Sequence, residues 1–463
     1  MPSPTGSSPQ GQFRELTSLM PWRRGGPCVR LWKIRRGNKP IPAQKPAIVR
    51  QGEYVSSEIE NRLQERGVTI DGVIATIQQF RVETPSWGYG DSGTRFKVFH
   101  WPGAASNLRE KLADAAQVNK VTGTCPSVAI HIPWDMEDDW QAVKDYAHAL
   151  GLRIGAVNPN LFQDDAYRFG SLCHFDKQVR QRAIAHVIDC IDIAQAVGSD
   201  IISLWLADGT NYPGQDDLRR RRSRLLESLQ AIYTVLPAGM RLLIEYKFFE
   251  PSFYSTDLPD WGTSLLMAQK LGPQAEVLVD TGHHAQGTNI AQIVAQLLDE
   301  ERLGGFHFND RRYADDDLIV GSQNPFELFC IFNEIVGAGV EGNANAGRIA
   351  YMIDQSHNIE PKIEAMIQSV VNVQTAYAKA LLVDRAALRE TQEAGDVLGA
   401  YRVLQAAYET DVRPLLAEAR VRQGRDLDPI AAFRASGYAE RVAGERATTR
   451  VAPTEASSGY PGA

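Results

Sequence analysis

Eight short apolar runs in this chain each end in polar or charged residues, with room for a helix between one run and the next. The runs are IQQFRVETPSW, SVAIHIPWD, LRIGAVNPN, DIISLWLAD, RLLIEYK, AEVLVDTGHH, GGFHFND and IAYMIDQS. Between them lie helical stretches such as NLREKLADAAQVNKV, VRQRAIAHVIDCIDIAQAVG and NIAQIVAQLLDEERLGG, many closing at a glycine, where a left-handed residue ends a helix. Strand and helix alternating eight times predict an α/β protein with a parallel sheet, and eight units predict closure into a (β/α)8 TIM barrel. A strand buried in such a barrel does no polar work along its length. Polar residues repeated at its C-terminal tip therefore read as a site.

At 463 residues, one barrel with a C-terminal helical extension uses the length comfortably. Hydrophobic residues make up 43% and charged residues 23%, an ordinary balance for a soluble globular protein. The net charge of -7 is unevenly spread: residues 1–50 hold ten Lys or Arg against Glu15 alone, +9, which leaves -16 for the rest. No basic patch suited to a phosphate backbone follows residue 50, so nucleic acid is not an expected partner. The stretch WRRGGPCVRLWKIRRGNKP is acid-poor, as transit peptides are, but lacks their amphipathic period, so residues 1–55 are expected to form a disordered basic tail. No apolar run is long enough to cross a bilayer and no signal-peptide segment stands near the start, so a cytoplasmic protein without a membrane partner is expected.

Five scattered cysteines, Cys28, Cys125, Cys173, Cys190 and Cys330, never form CxxC and argue against disulfides or a zinc knuckle. They read as core or incidental thiols. Glu58 to Gly67 reads as a first helix. The barrel is expected over 56–375, a helical extension for subunit contacts over 376–440, and a disordered tail over 441–463.

Chemistry gathers at the ends of the last four strands. Glu245 and Lys247 stand two apart, so both face the barrel interior. Asp280 ends the next strand and His283 follows in TGHH; His307 lies in GGFHFND, Asp354 in MIDQSHN, and Asp315 and Asp317 alternate in YADDD. A lone Asp after a strand is more often a helix cap, and a lone strand histidine more often a hydrogen-bonded core residue. Joint occurrence changes this, because several unpaired carboxylates at one barrel mouth are too unfavourable to bury unless cations neutralise them. The donors exceed one ion's octahedral need, so two divalent metal ions per subunit are expected, with Asp280 as the bridge. Such a shell suits Mn2+, with Co2+, Mg2+ or Zn2+ as alternatives.

His284 and Asp316 read as bystanders, Asp310 and His357 as supporting residues. Trp87, His131, Trp134, Phe162 and Trp205 follow the other strands and fill the remaining mouth. Aromatic faces pack on the apolar faces of sugars, and imidazole reads hydroxyls. Core packing is the competing reading for Trp87, Trp205 and Phe162.

SWGYGDSGTRF, HIPWD, ADGTNYPGQ, EYKFFEPSFYSTDLPDWGT, LVDTGHHAQGTNIAQIVAQLL, GGFHFNDRRYADDDL and MIDQSHN together resemble bacterial L-rhamnose isomerase. The branch is the broad-specificity aldose–ketose isomerase type of pseudomonads, within the xylose isomerase-like TIM barrels. The resemblance spans Glu58 to Glu440. It implies a structural metal site of Glu245, Asp280, His307 and Asp354, and a catalytic metal held by His283, Asp315 and Asp317 with Asp280 shared. It implies that Lys247 lies beside the substrate's first carbons, that His131 contacts the sugar oxygens during ring opening, and that Trp87 and Trp205 form the hydrophobic side. Lys247, His131 and Asp317 are thus the expected catalytic residues. Family members are homotetramers in which a neighbour's loop closes the site, and Phe96 in GTRFKVF matches that contact. Tyr246 departs from relatives that carry His there; alternation points it away from the mouth.

The activity expected is interconversion of L-rhamnose and L-rhamnulose by a metal-assisted 1,2-hydride shift, with Lys247 stabilising the developing charge. An ene-diol route, in which a carboxylate takes the C2 proton, is the rival mechanism. A ketose 3-epimerase would want two carboxylates around one metal and no paired Asp315 and Asp317. A metal phosphodiesterase is opposed by the domain charge of -16. A sugar-binding barrel without turnover leaves Lys247 unexplained.

Overall fold

The computed structural model describes residues 60–449, except 61–62, 65–66, 94–97, 251–252, 314 and 357–358. Eight parallel strands close into one barrel: β1 Glu83–Pro85, β2 Ser127–Ile132, β3 Arg153–Pro159, β4 Ile201–Leu204, β5 Arg241–Glu245, β6 Ala275–Asp280, β7 Leu303–Phe308 and β8 Ala350–Ile353. Pairing follows chain order around the ring. β1 closes it, with Glu83 opposite both Met352 of β8 and Ser127 of β2. The strands are buried almost throughout, because helices cover their outer face and side chains fill the inside.

The covering helices are α1 Leu108–Thr122, α2 Trp140–Ala149, α3 Lys177–Val197, α4 Leu218–Thr234, α5 Trp261–Leu271, α6 Ile290–Asp299, α7 Pro325–Val340 and α8 Lys362–Leu381. The first seven begin at Asn107, Asp139, Asp176, Asp217, Asp260, Asn289 and Asn324, each of whose side chains accepts a backbone N–H of the first turn. Many acids that follow strands are therefore caps. This sets apart the few that are not.

Inside the ring, Ala129, Ala156, Leu243, Leu278 and Met352 pack with Trp87. The aliphatic residues fill the barrel below the strand tips and leave the mouth to polar and aromatic groups. A short antiparallel pairing of Gly209–Thr210 with Ser255–Thr256 joins the loops after β4 and β5.

Three expectations are corrected. Ile77–Gln79, expected to open the first strand, end a helix at Ile70–Gln79: Thr69 accepts the Gly72 N–H, and Val73, Ile74 and Ile77 bury one face at helical spacing. The barrel boundary expected at 375/376 falls inside α8, whose buried residues continue to Ala380. The tail expected from 441 is also wrong in its first part. Beyond α8 the chain forms α9 Arg385–Glu393, α10 Val397–Glu409, α11 Arg413–Arg422, α12 Pro429–Ala435 and α13 Tyr438–Thr449. The last of these is pinned by α1, where buried Asp114 accepts from Tyr438 at 2.8 Å and from both terminal nitrogens of Arg446 at 2.8 Å. A buried carboxylate fixes this helix, and local composition did not reveal it. Residues 1–55, Phe96 and His357 lie outside the described residues, as does part of the helix expected at Glu58 to Gly67. Among the described residues no helix is long and apolar enough to cross a membrane.

Candidate active site

The tips of β5 to β8 deliver their polar residues to one cleft. Glu245 ends β5, Asp280 ends β6, His307 lies in β7 and Asp354 follows β8, and one donor atom from each lies within 4.8 Å of the others. A second grouping of the same tightness joins Asp280, His283 and Asp315. Asp280 belongs to both. Asp317 lines the cleft but stands outside the second grouping. Its φ of 47° lies in the left-handed region, which Asp enters more readily than most non-glycine residues.

Local chain geometry explains the convergence. Gly282 donates its N–H to Asp280 Oδ1 at 2.6 Å. A Cβ there would lie 2.7 Å from Asn309 Oδ1 and 3.2 Å from both Asp280 Oδ1 and Asp315 Oδ1, so only glycine lets these groups meet. His283 Nδ1 sits 3.1 Å from the Tyr246 carbonyl. When neutral it donates there, and Nε2 presents its lone pair 3.3 Å from Asp315 Oδ1 and 3.9 Å from Asp280 Oδ2. Asp310 accepts the N–H groups of Gln323 (2.7 Å) and Asn324 (2.9 Å), closing the loop that carries Asp315 and Asp317. Asp316 accepts from the Arg312 and Tyr313 N–H groups and shapes the turn.

The electrostatics show an unmet demand for positive charge. Five carboxylates (Glu245, Asp280, Asp315, Asp317 and Asp354) line or join this mouth, and among the described residues Lys247 is the one Lys or Arg that ion-pairs with any of them. Burial, reinforced by Glu245 and Asp315, pushes Asp280 up to about 7 against the pull of His283. Burial with Asp315 and Asp354 drives Asp317 well above the carboxylate range. Burial alone would lower both imidazoles. Asp280 and Asp315 outweigh it at His283, which is pushed well up, and Glu245 outweighs it at His307, which reaches about 9. Burial works against Glu245 too, yet His307 and His283 hold it down at about 2. His307 Nδ1 lies 3.2 Å from Glu245 Oε2 and 3.5 Å from Asp354 Oδ2, while its Nε2 is buried without a hydrogen-bond partner. Clustered carboxylates holding protons on their imidazoles, with one buried imidazole nitrogen unpartnered, fit a site for divalent cations.

Lys247, 4% exposed, is gripped by Glu250 at 2.6 Å and Asp315 at 2.7 Å, and its ammonium lies 5.2 Å from the centre of the Trp205 ring. Trp87, His131, Trp134, Phe162 and Trp205 wall the same cleft, which encloses about 660 Å³, part of it open to solvent. His131 stacks on Trp134 at 3.8 Å and meets Trp87 and Phe162 edge-on. Its backbone N–H is held by Asp135 at 2.9 Å, and burial, then Lys111, pushes its imidazole well below the usual range, so it is neutral. Trp87 is both wall and donor, since its indole N–H reaches Asp354 Oδ1 at 2.7 Å.

His284 turns away from the cleft and meets the Tyr246 hydroxyl at 2.6 Å; both are buried. Several contributors were not singled out in the sequence. Asn309 donates to both Asp280 oxygens at 3.0 and 3.1 Å. Glu250 shares Lys247, and Asn158, Ser203 and Ser356 line the cleft. Asn309 adjoins Asp310 in FHFND, so the strand-tip argument that selected its neighbours reaches it too.

A closed parallel barrel whose mouth combines a lysine, an aromatic wall and acid–imidazole clusters able to bind metal defines a (β/α)8 enzyme scaffold. The chain belongs to the xylose isomerase-like TIM barrel family, whose sequence model matches residues 119–334. It is 47% identical over 391 residues to a protein of Rhizobium meliloti (strain 1021) named "Probable sugar isomerase", covering 83% of this chain and 91% of that one. It is 45% identical over 409 residues to a protein of Mesorhizobium japonicum with the same description, covering 87% and 94%. Among solved structures, an L-ribulose 3-epimerase matches with a TM-score of 0.51 over 66% of this chain and 98% of that one. At 15% identity this is a likeness of fold alone.

Proposed function

We propose that the protein is a metal-dependent aldose–ketose isomerase that interconverts L-rhamnose and L-rhamnulose. The observation that carries this reading is two cation-fitting groupings sharing Asp280, with Lys247 beside them in one aromatic-walled cleft. The 47% identity to a protein named a sugar isomerase supports the reaction class. Glu245, Asp280, His307 and Asp354 would hold one ion, and His283, Asp315 and Asp317 with Asp280 the other. Divalent ions bound there supply Lewis acidity for the sugar oxygens, and Mn2+ suits the donors best.

The protein's own groups do the rest. Lys247 sits between two carboxylates that raise its pKa despite burial, so it stays an ammonium and offers N–H and charge to an oxygen turning anionic at C1 or C2. Neutral His131 can accept a hydrogen bond from a sugar hydroxyl as the ring opens. Trp87, Trp134, Phe162 and Trp205 pack the sugar's C–H faces and exclude water. One hydrogen moves between C1 and C2 while a proton leaves one of the two oxygens and reaches the other, and a shielded apolar wall favours transfer of the carbon-bound hydrogen as hydride over exchange through a base.

The test is chelator-stripped protein reloaded with Mn2+ and offered L-rhamnose in deuterated water. Rhamnulose without deuterium on carbon supports the reading; deuterium on C1 replaces hydride transfer with the ene-diol route, no rhamnulose retires L-rhamnose as the substrate, and no turnover of any aldose retires the isomerase. A single tightly bound ion with turnover at C3 of a ketose would favour an epimerase. The tetramer expected from the resemblance is tested by sedimentation of the full chain.

A further inference from the structure

The backbone of Lys247 is held by a strap from the loop after β5. Its N–H donates to the Leu258 carbonyl at 2.9 Å, and its carbonyl accepts from the Thr256 hydroxyl. Asp257, between those two residues, takes Nε and Nη2 of Arg221 bidentately at 2.9 and 2.7 Å. Its backbone N–H donates to the Asp208 carbonyl at 3.0 Å. Asp208 in turn accepts the Ser171 N–H at 2.7 Å and the Ser171 hydroxyl at 3.1 Å.

Cys173 sits among them, its Sγ 2.9 Å from Asp208, 3.2 Å from Asp257 and 2.8 Å from Arg221 Nη2. Burial, then the two acids, raises its thiol well above the ordinary range, so it remains an S–H donor. Gly170, at φ 108°, leaves no space for a side chain: a Cβ would lie 2.6 Å from Cys173 Sγ and 2.8 Å from Arg221 Nη2. The donor atoms of Cys173, Asp208 and Asp257 lie as close together as those in the mouth. Here, however, a guanidinium 1% exposed already supplies the positive charge, so the cluster is a brace and not a metal site.

The brace ties together the loops after β3, β4 and β5, and it reaches Lys247 through the strap. We propose that Arg221 is a positioning residue: through Asp257 and the strap Thr256–Leu258 it fixes the backbone of Lys247, and so the place where the ammonium meets substrate. This rests on the isomerase reading, in which Lys247 acts at the sugar's first carbons. An ammonium misplaced by about 1 Å can lose on the order of 100-fold in rate while binding survives.

The test compares wild type, Arg221→Lys and Thr256→Val, each full-length and loaded with Mn2+. The readouts are kcat and KM for L-rhamnose, Mn2+ stoichiometry and affinity by calorimetry, and melting temperature. Arg221→Lys is expected to lower kcat by about 10- to 100-fold, with KM and both Mn2+ affinities unchanged. Thr256→Val, which removes one hydroxyl at nearly constant volume, shifts kcat in the same sense by less. A role in fold stability alone would lower the melting temperature and leave kcat per folded molecule untouched, which overturns the proposal. So does a fall in Mn2+ affinity that tracks kcat. If Arg221→Lys does not fold, an unchanged kcat in Thr256→Val decides against it. A wild-type protein that converts no aldose overturns the isomerase reading, and the positioning role falls with it.

Discussion

Strand β6 carries two fully buried acids on one face, Glu276 near its start and Asp280 at its tip, and the chain treats them in opposite ways. At the foot of the barrel, Glu276 meets Arg348 at 2.6 Å and Arg241 at 3.1 Å. Arg241 also donates to the carbonyls of Gly304 and Arg348 and so ties strands β5, β7 and the approach to β8 around the acid. At the mouth, Asp280 has the amide of Asn309 and the Gly282 N–H, and no arginine. Its nearest charges are other carboxylates and His283. A buried acid that serves the fold is given its counter-charge by the chain itself, even though burial still lifts the Glu276 carboxyl against the pull of its two arginines. One left without a covalent counter-charge, among several like it, is reserved for a counter-charge that arrives from solution.

The sharpest way to break this contrast is to remove the mouth's central carboxylate. Asp280→Asn should abolish both ion sites and lower turnover by on the order of 1000-fold or more. Stripped of metal, the same variant should melt higher than stripped wild type, by roughly 2–4 °C, because one of several repelling carboxylates is gone. Calorimetric scans with and without chelator check this. A stripped Asp280→Asn protein less stable than stripped wild type would mean that Asp280 is a structural acid like Glu276.

Glu276→Gln should do the reverse. It leaves the partly buried Arg241 without its acid and should cost about 1–3 kcal/mol, below the range for a fully buried pair because Arg348 is also partly exposed and Arg241 keeps two carbonyl partners. Denaturant unfolding measures that loss, and kcat with Mn2+ should stay close to wild type. A large fall in kcat at unchanged stability would erase the distinction between foot and mouth.

The mouth was legible in the sequence and the foot was not, for a physical reason. A strand tip is a fixed address, so carboxylates and imidazoles repeated at the ends of IEYK, VDTGHH, HFND and MIDQ can be assigned to one neighbourhood once the eightfold alternation is seen. Glu276 lies in the same AEVLVD run, but its partners Arg241 and Arg348 come from other strands' starts, where a charged residue looks like any loop residue. The same applies to Asp114 and Arg446, whose pairing turns an expected tail into helix α13, and to the Arg221 brace, assembled from three loops. Cys173 reads in the sequence as a core or incidental thiol because only the fold sets it against two acids and a guanidinium. Ile77 was misplaced because a short apolar run fits a strand start and a helix end equally well until the Thr69 cap is seen.

Between these extremes stand residues that touch a candidate ligand without being one. Trp87→Phe keeps the aromatic wall and removes the N–H donated to Asp354 Oδ1 at 2.7 Å. Loss of such a support should weaken Mn2+ at one of the two sites by about tenfold, near 1.4 kcal/mol, and leave the other unchanged. Titration calorimetry resolves the two events. Equal weakening of both sites would show that Asp354 is not confined to the grouping with Glu245 and His307.

The smallest expected effect tests how sharply the mouth is divided from the shell behind it. Adjacent histidines point to opposite sides: His283 into the cleft, His284 out of it onto the Tyr246 hydroxyl. Tyr246 serves both, through its backbone carbonyl for His283 and its side chain for His284. Tyr246→Phe removes the second contact and keeps the first. A buried hydrogen bond is then lost and the His284 Nε2 left unsatisfied, which should lower stability by about 1–2 kcal/mol. The orientation of His283 is untouched, so kcat should stay within roughly twofold, a change below 0.5 kcal/mol in barrier. A fall in kcat of more than about tenfold would show that packing behind the barrel reaches the cleft, and that the two faces of the TGHH turn are not separable.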